Sequence, residues 1–363
     1  MKAPRIKDVV ITPDMLNKIS AIDRFNGAWE GRREGLTPVE LRMMKRVETI
    51  ESVGSSNRIE GNRMTDEEVE ALFSHIEQKS FQTRDEEEVA GYADLVNIIF
   101  ENYAELPLSE NYIKQLHQIL LRYSSKDERH RGEYKTDSNR VAAFDAAGRE
   151  IGSIFETATP FDTPRLMRDL VAWTNDTLQD RYFHPLVTIG IFIVHFLAIH
   201  PFTDGNGRLS RALTILLMLR QGYEYLPYSS MESIVESSKE AYYRSLRGTQ
   251  RTLHSERVNY EPWLSYFIAS LYGQKCNLEA KIAVLKQQNK SELSGTSQAV
   301  MSLFIDAHAL SMTDIVLRLN MNPETIRKAV QSMVKKGYLK KMGTTRGATY
   351  ARSQPLTGGE GEV

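Results

Sequence analysis

The chain has 363 residues, and its 46 Lys+Arg nearly balance 47 Asp+Glu, for a formal net charge of -1. At 41% apolar and 26% charged it reads as a soluble globular protein with chain enough for about two to three domains and a buried core. The charge balance excludes a chain that is basic or acidic throughout, and the lone Cys276 excludes an intramolecular disulfide framework or a cysteine-based zinc cluster.

The first residues, MKAPRIKDVVITPDML, lack the apolar stretch of a secretory signal. The longest apolar run, Leu186 to Ile199, is shorter than the ~20 residues of a membrane span and contains Gly190 and His195. It is expected to be a buried core helix of a cytoplasmic protein with no membrane partner.

Helical periodicity dominates. The spacing predicts a helix over 38–53, with Thr37 as N-cap and Pro38 at N1, and another over 65–78, where TDEE sets carboxylates in the first turn. Val89, Tyr92, Ala93, Val96, Ile99 and Phe100 mark a helix over 86–103, and Ile113, Leu116, Ile119 and Leu120 one over 109–123. Between 133 and 159 the period fails. There, 140–144 and 149–155 flank the turn signal DAAG and predict a β-hairpin. Helices over 163–179, 186–199, 206–221, 231–250 and 261–286 follow, then a polar stretch, QQNKSELSGTS, expected to be a linker over 287–297. Beyond it, helices over 298–305, 311–319 and 323–336 precede strands over 338–342 and 348–352. The fold class is therefore mainly α. The expected division is an N-terminal helical region (1–105), a helical core (106–286), the linker, a small C-terminal module (298–353) and a disordered tail (354–363).

Chemistry concentrates in residues 200–211, HPFTDGNGRLSR. Gly205 and Gly207 flank Asn206 where a new helix starts, so backbone N–H groups and the positive helix end can face an anion. Arg208 and Arg211 lie three apart on that helix and add two guanidiniums to the same end. Asp204 can share a divalent cation with phosphates, and His200 is a base that works near neutral pH. Base, cation ligand and phosphate cradle suit attack by an activated hydroxyl on a nucleotide phosphate. His195 sits on the apolar helix as a structural residue, and His117, His184 and His254 lack metal-type spacing.

The string fits HxFx[D/E]GNGRxxR and so resembles the signature of Fic-domain proteins, a likeness that extends over roughly Ser52 to Leu271. The resemblance implies a helical Fic core with a hairpin flap. It also implies a protein adenylyltransferase, which moves AMP from ATP to a Ser, Thr or Tyr hydroxyl of a target protein and releases pyrophosphate. Carried over, His200 deprotonates the hydroxyl and Asp204 binds Mg²⁺. The amides of Gly205 and Gly207 and the side chain of Asn206 hold the α-phosphate region, and Arg208 and Arg211 bind the β- and γ-phosphates. Gly207 argues against the Doc-like kinases of the superfamily, where a bulkier residue turns the nucleotide around. Tyr242 and Tyr243 resemble aromatics lining the adenine pocket, with Gln250 two turns on to read the base edge. The hairpin resembles the flap that pairs with an extended target segment.

Upstream, Ser56, Glu60 and Gly61 in SSNRIEGN match [S/T]xxxE[G/N], the inhibitory motif of Fic proteins; on its own the string reads as a helix end with a Gly cap. The resemblance implies that Glu60 pairs with Arg211 and forces ATP into an unreactive pose, as in the class inhibited from an N-terminal helix. In some relatives the same glutamate supports AMP removal, so a de-AMPylating or bifunctional enzyme is the alternative.

From Ser311 to Arg352, nine basic side chains face two acidic ones. Three helices and a hairpin in this order resemble a winged helix-turn-helix. Arg327, Lys328, Lys335 and Lys336 on its third helix and Arg346 at the wing tip are the expected contacts to double-stranded DNA. A DNA-binding transcriptional regulator with a nucleotide-sensing Fic core is thus the rival of another class. The expected partners are a protein target, the chain itself as a target, DNA, and a second copy in a homodimer.

Overall fold

The computed structural model describes residues 4, 6–34, 36–74, 81–144, 150–290, 295–305, 307–335, 338–343 and 348–352. Its first half is helical: α1 (Pro13–Gly27), α2 (Trp29–Arg33), α3 (Pro38–Ile59), α4 (Asp66–Phe73), α5 (Arg84–Asn102) and α6 (Glu110–Leu120). Threonines set several of the starts. Thr37, Thr65 and Thr83 each accept the N–H three residues on, while Glu40, Glu68 and Glu86 reach back to the cap, closing a capping box at each.

A hairpin follows, in which β1 (Arg140–Phe144) pairs antiparallel with β2 (Glu150–Glu156), Arg140 opposite Glu156 and Phe144 opposite Glu150. The second half holds α7 (Thr163–Asp180), α8 (Pro185–Ile199), α9 (Asn206–Arg220), α10 (Glu232–Ser237), α11 (Lys239–Gln250) and α12 (Glu261–Lys290). Every residue of α8 from Leu186 to Ile199 is buried, as its predominantly apolar sequence requires, and α7, α9, α11 and α12 surround it. Among the described residues no helix is long and apolar enough to cross a membrane. A single apolar core runs from Met15 to Ile282, joining the regions on either side of residue 105.

Two expectations change here. The helix expected over 231–250 breaks at Ser238, whose φ of -119° and ψ of 31° leave the helical region, while its N–H and hydroxyl both bond back to the Ile234 carbonyl, at 3.1 and 2.6 Å. The linker expected over 287–297 is shorter, because α12 continues to Lys290 and α13 (Gly295–Ser302) opens inside it. The expected tail, 354–363, lies outside the described residues.

The C-terminal part continues with β3 (Leu310–Ser311), α14 (Met312–Leu319), α15 (Pro323–Lys335), β4 (Leu339–Met342) and β5 (Thr349–Arg352). Its strands form an antiparallel sheet in the order β3-β5-β4, one strand more than the hairpin expected. It has its own core, built on Val300, Phe304, Leu310, Ile315, Ile326 and Val330. It meets the larger body at α3 and α4, where Ser74 Oγ stands 3.0 Å from His308 Nε2.

Candidate active site

The end of α8 and the start of α9 create the site. At His200 the backbone turns left-handed, with φ 53° and ψ 60°, and its N–H closes on the Phe196 carbonyl at 2.8 Å. The loop that follows is closed by Asn206. Its Oδ1 accepts the Phe202 N–H at 3.0 Å, and its Nδ2 donates to the Phe202 carbonyl at 2.7 Å. The sequence assigned the Asn206 side chain to the α-phosphate; the structure instead uses both of its polar atoms to hold the loop. Gly205, at φ 77°, bends the chain into α9, and a Cβ there would come within 2.9 Å of Leu120.

Beneath the loop lies His117, fully buried and stacked on Phe202 with ring centroids 3.8 Å apart. Its Nδ1 accepts the Gly132 N–H at 2.8 Å, so the ring proton sits on Nε2 and is donated to the Asp204 carbonyl at 3.0 Å. Burial pushes this imidazole down to about 4, so it stays neutral. His200 is likewise pushed down to about 4, by burial and then by the nearby Lys135 ammonium. Its Nδ1 stands 3.3 Å from the Leu197 carbonyl, which places the proton there and leaves Nε2 as the basic nitrogen.

The cradle is electropositive and only partly satisfied. Arg208 is 2% exposed, and its Nη1 and Nη2 stand 3.5 Å from Glu88 and from Asp204. Its Nε and Nη1 have no hydrogen-bond partner. A buried guanidinium with unsatisfied donors is a ready acceptor of an anion. Burial would raise the Asp204 carboxyl, but Arg208 and the Gly205 N–H, which donates to Oδ1 at 2.6 Å, hold it below the usual carboxylate range. The Gly205 amide assigned to phosphate is therefore used by Asp204. Among the described residues no cluster of three or more His, Cys, Asp or Glu side chains could hold a metal unaided. One ionised carboxylate suits Mg²⁺ carried on a phosphate chain, since Mg²⁺ takes one or two carboxylates beside the phosphates.

The opposite wall comes from α3. Arg211 is 3% exposed; its Nε donates to Ser56 Oγ, and its Nη2 to the Ser56 carbonyl and to Glu60 Oε1, each at 2.8 Å. Burial would lower this guanidinium, but the Glu60 charge outweighs it and raises it above the ordinary arginine value. Glu60 caps α3, and Gly61 turns the chain away at φ 99°. The carboxylate lies directly over Gly207, where a Cβ would stand 2.1 Å from Oε1. Arg58, on the same last turn of α3, grips Glu236 on α10 through Nε and Nη2 at 2.7 and 3.0 Å and Asp66 on α4 through Nη1 at 2.8 Å.

Tyr242 is buried edge-on against Tyr243 and Trp263, and with Arg211, Ser210, Thr214 and Tyr266 it lines a narrow cavity behind the arginine. Burial raises its phenol and that of the half-buried Tyr243, while Arg211 pulls both down and Glu60 pushes both up. The structure thus brings both tyrosines to the Arg211–Glu60 pair. Gln250 is buried at the far end of α11, about 10 Å along the helix from Tyr243. In the C-terminal part Arg327, Lys328 and Lys335 are exposed on α15, whereas Lys336 and Arg346 lie outside the described residues.

His117, Arg58, Glu88, Asn139 and Thr157 are parts of this site that the sequence did not disclose, whereas Lys135 resembles a flap position in the sequence alone. A histidine on the apolar face of α6 was the one available signal, and metal spacing was the wrong test for it.

Residues 107–218 match the Fic/DOC family model. The chain is similar to the protein adenylyltransferase Fic of Drosophila willistoni, 26% identical over 223 residues, covering 60% of this chain and 41% of that one. It is also similar to a probable protein adenylyltransferase of Aquifex aeolicus, 25% identical over 109 residues, covering 30% of this chain and 33% of that one. In both cases the match spans less than half the relative's length. In fold it resembles a Fic family protein from Desulfovibrio desulfuricans at a TM-score of 0.60 and 22% identity, over 98% of this chain and 99% of that one. Fic-1 of C. elegans aligns at a TM-score of 0.58 and 19% identity, over 74% of this chain and 73% of that one. With the helical core and the 200–211 loop built as described, this chain carries a Fic domain.

Proposed function

We propose that the chain is a protein adenylyltransferase that transfers AMP from ATP to a side-chain hydroxyl of a protein and is held at rest by Glu60. The observation that carries the reading is the position of the Glu60 carboxylate, paired with Arg211 and seated over Gly207, in the space a phosphate chain would take. In the active form, His200 Nε2 takes the proton of the acceptor hydroxyl. The oxygen then attacks the α-phosphorus, a new P–O bond forms, the bond to the β-phosphate bridge breaks, and pyrophosphate leaves. Arg208, with its unsatisfied donors, and Arg211, once released, hold the outer phosphates. Asp204 would hold Mg²⁺ brought in with the nucleotide, and the cation would supply charge neutralisation.

Transfer of label from α-phosphate-labelled ATP to protein in a lysate tests this. Label should appear with Glu60→Gly and vanish with Glu60→Gly plus His200→Ala. Bound ATP with no label in any variant would sink the transferase reading. A second reading rests on the same carboxylate, which can also orient water toward a modified hydroxyl. A de-AMPylating enzyme would lose activity with Glu60→Gly rather than gain it.

For the C-terminal part we propose a winged-helix module that contacts duplex DNA. The reading is supported by Arg327, Lys328 and Lys335 exposed on α15 beside Lys340 and Lys341 exposed on β4.

A further inference from the structure

The hairpin joins the rest of the chain through two stalks, Asn139 before β1 and Thr157 after β2, and both end on one buried ammonium. Lys135 is 3% exposed. Its Nζ donates to Asn139 Oδ1 at 2.8 Å, to Thr157 Oγ1 at 2.9 Å and to the Ile199 carbonyl at 3.0 Å. All three ammonium donors are thereby satisfied. The Thr157 hydroxyl donates in turn to Asn139, 2.8 Å from its carbonyl oxygen.

The same hub grips the loop that carries His200. The Lys135 N–H donates to the Pro201 carbonyl at 2.9 Å, and Asn139 Nδ2 to the Phe202 carbonyl at 2.8 Å. Carbonyls one residue before His200 and one and two residues after it are therefore tied to the hairpin stalks. Among the described residues no carboxylate forms an ion pair with Lys135. Burying an uncompensated cation is costly, and a methionine would fill the same space without that cost, so packing alone does not account for an ammonium here.

We infer that Lys135 is a positioning residue that locks the β1–β2 hairpin to the His200 loop and so fixes the distance between a hairpin-bound acceptor hydroxyl and His200 Nε2. The inference rests on the transferase reading for its catalytic consequence, but the anchoring is testable without it. Lys135 touches neither nucleotide-binding arginine, so its loss should act on the acceptor and leave ATP binding intact.

The experiment uses the full chain in the Glu60→Gly background, comparing Lys135→Met and Thr157→Val with the parent. Hydrogen exchange of the β2 amides should accelerate at least ~10-fold in Lys135→Met, with α8 and α9 unchanged. In the same variant, kcat/KM for the protein acceptor should fall at least ~10-fold while ATP affinity stays within about 2-fold; a merely structural loss would lower both. Unchanged β2 exchange in folded Lys135→Met overturns the anchoring, and loosened β2 with undiminished transfer overturns the positioning role. Should Lys135→Met lose protection throughout α8 and α9, Thr157→Val decides by the same readouts, since it keeps the ammonium and removes only one stalk. If the parent transfers no AMP at all, the transferase reading fails, and the exchange comparison still decides whether Lys135 holds the hairpin.

Discussion

Arg211 and Glu60, 151 residues apart in sequence, meet at 2.8 Å, and the carboxylate in that pair covers Gly207. Glu60→Gly removes the carboxylate and leaves Arg211 with its two bonds to Ser56. AMP transfer should rise at least ~10-fold, which corresponds to about 1.4 kcal/mol of relieved inhibition. Label transfer at saturating ATP measures it; a rate equal to wild type would mean that Glu60 restrains nothing.

Arg58 holds the segment that presents Glu60. Arg58→Met should raise transfer in the wild-type background and add nothing beside Glu60→Gly, because both act on one latch. It should also cost about 1–3 kcal/mol of stability by leaving Glu236 and Asp66 facing each other without their shared cation. A double-mutant cycle on label transfer, with urea unfolding beside it, checks both; additive activation would separate Arg58 from the latch.

Arg208 offers unsatisfied buried donors where an anion should sit. Arg208→Met should weaken ATP binding to the Glu60→Gly protein by at least ~10-fold, as expected when charge-assisted bonds to phosphate are removed. Calorimetric titration with a non-hydrolysable ATP analogue reads the change, and an unaltered affinity would remove Arg208 from the nucleotide site.

Acid should destabilise the fold through its buried imidazoles. His117 and His195 are held down to about 4 and about 3 by burial, against about 6.5 unfolded. A depressed histidine contributes stability that is complete above the unfolded value and is lost as pH falls toward the folded one. Between pH 7 and 4.5 each should therefore lose about 2–3 kcal/mol. Urea midpoints across that range test this. His195→Gln, neutral at every pH, should flatten part of the slope, and an equal slope would show that His195 titrates normally.

The proposed DNA binding predicts strong salt dependence. Charge reversal of Arg327 and Lys328 should weaken duplex binding and lower the slope of log K against log salt by about 0.9 for each phosphate no longer neutralised. Fluorescence anisotropy at graded salt reads both, and salt-independent or absent duplex binding by the parent would leave the module a protein-binding one.

Why some of this was legible follows from where the information lies. The 200–211 loop is contiguous, and its glycines, arginines and histidine must be those residue types, so the string displays its chemistry. Glu60 and Arg211 were readable as a pair only because each sits in a recognisable motif. Asn139 and Thr157 are different. They act on main-chain carbonyls, which leave no residue-type mark, and they fall in the stretch where periodicity fails. The break at Ser238 was equally hidden, since one residue with non-helical backbone angles interrupts no apolar pattern. β3, two residues long, is below the length at which alternation can register.

Glu60 occupies the last position of a helix whose body lies in the core, while Ser56 keeps its grip on Arg211 from the turn before. Uncovering Gly207 therefore asks for a change of side-chain torsion and for no displacement of α3. That torsion change must also break the Glu60–Arg211 ion pair, whose arginine is buried, so the strength of the pair sets how often Gly207 is uncovered. If Glu60 restrains transfer as proposed, the open form would be reached without a backbone rearrangement, and the basal rate would report an equilibrium population rather than the height of an opening barrier.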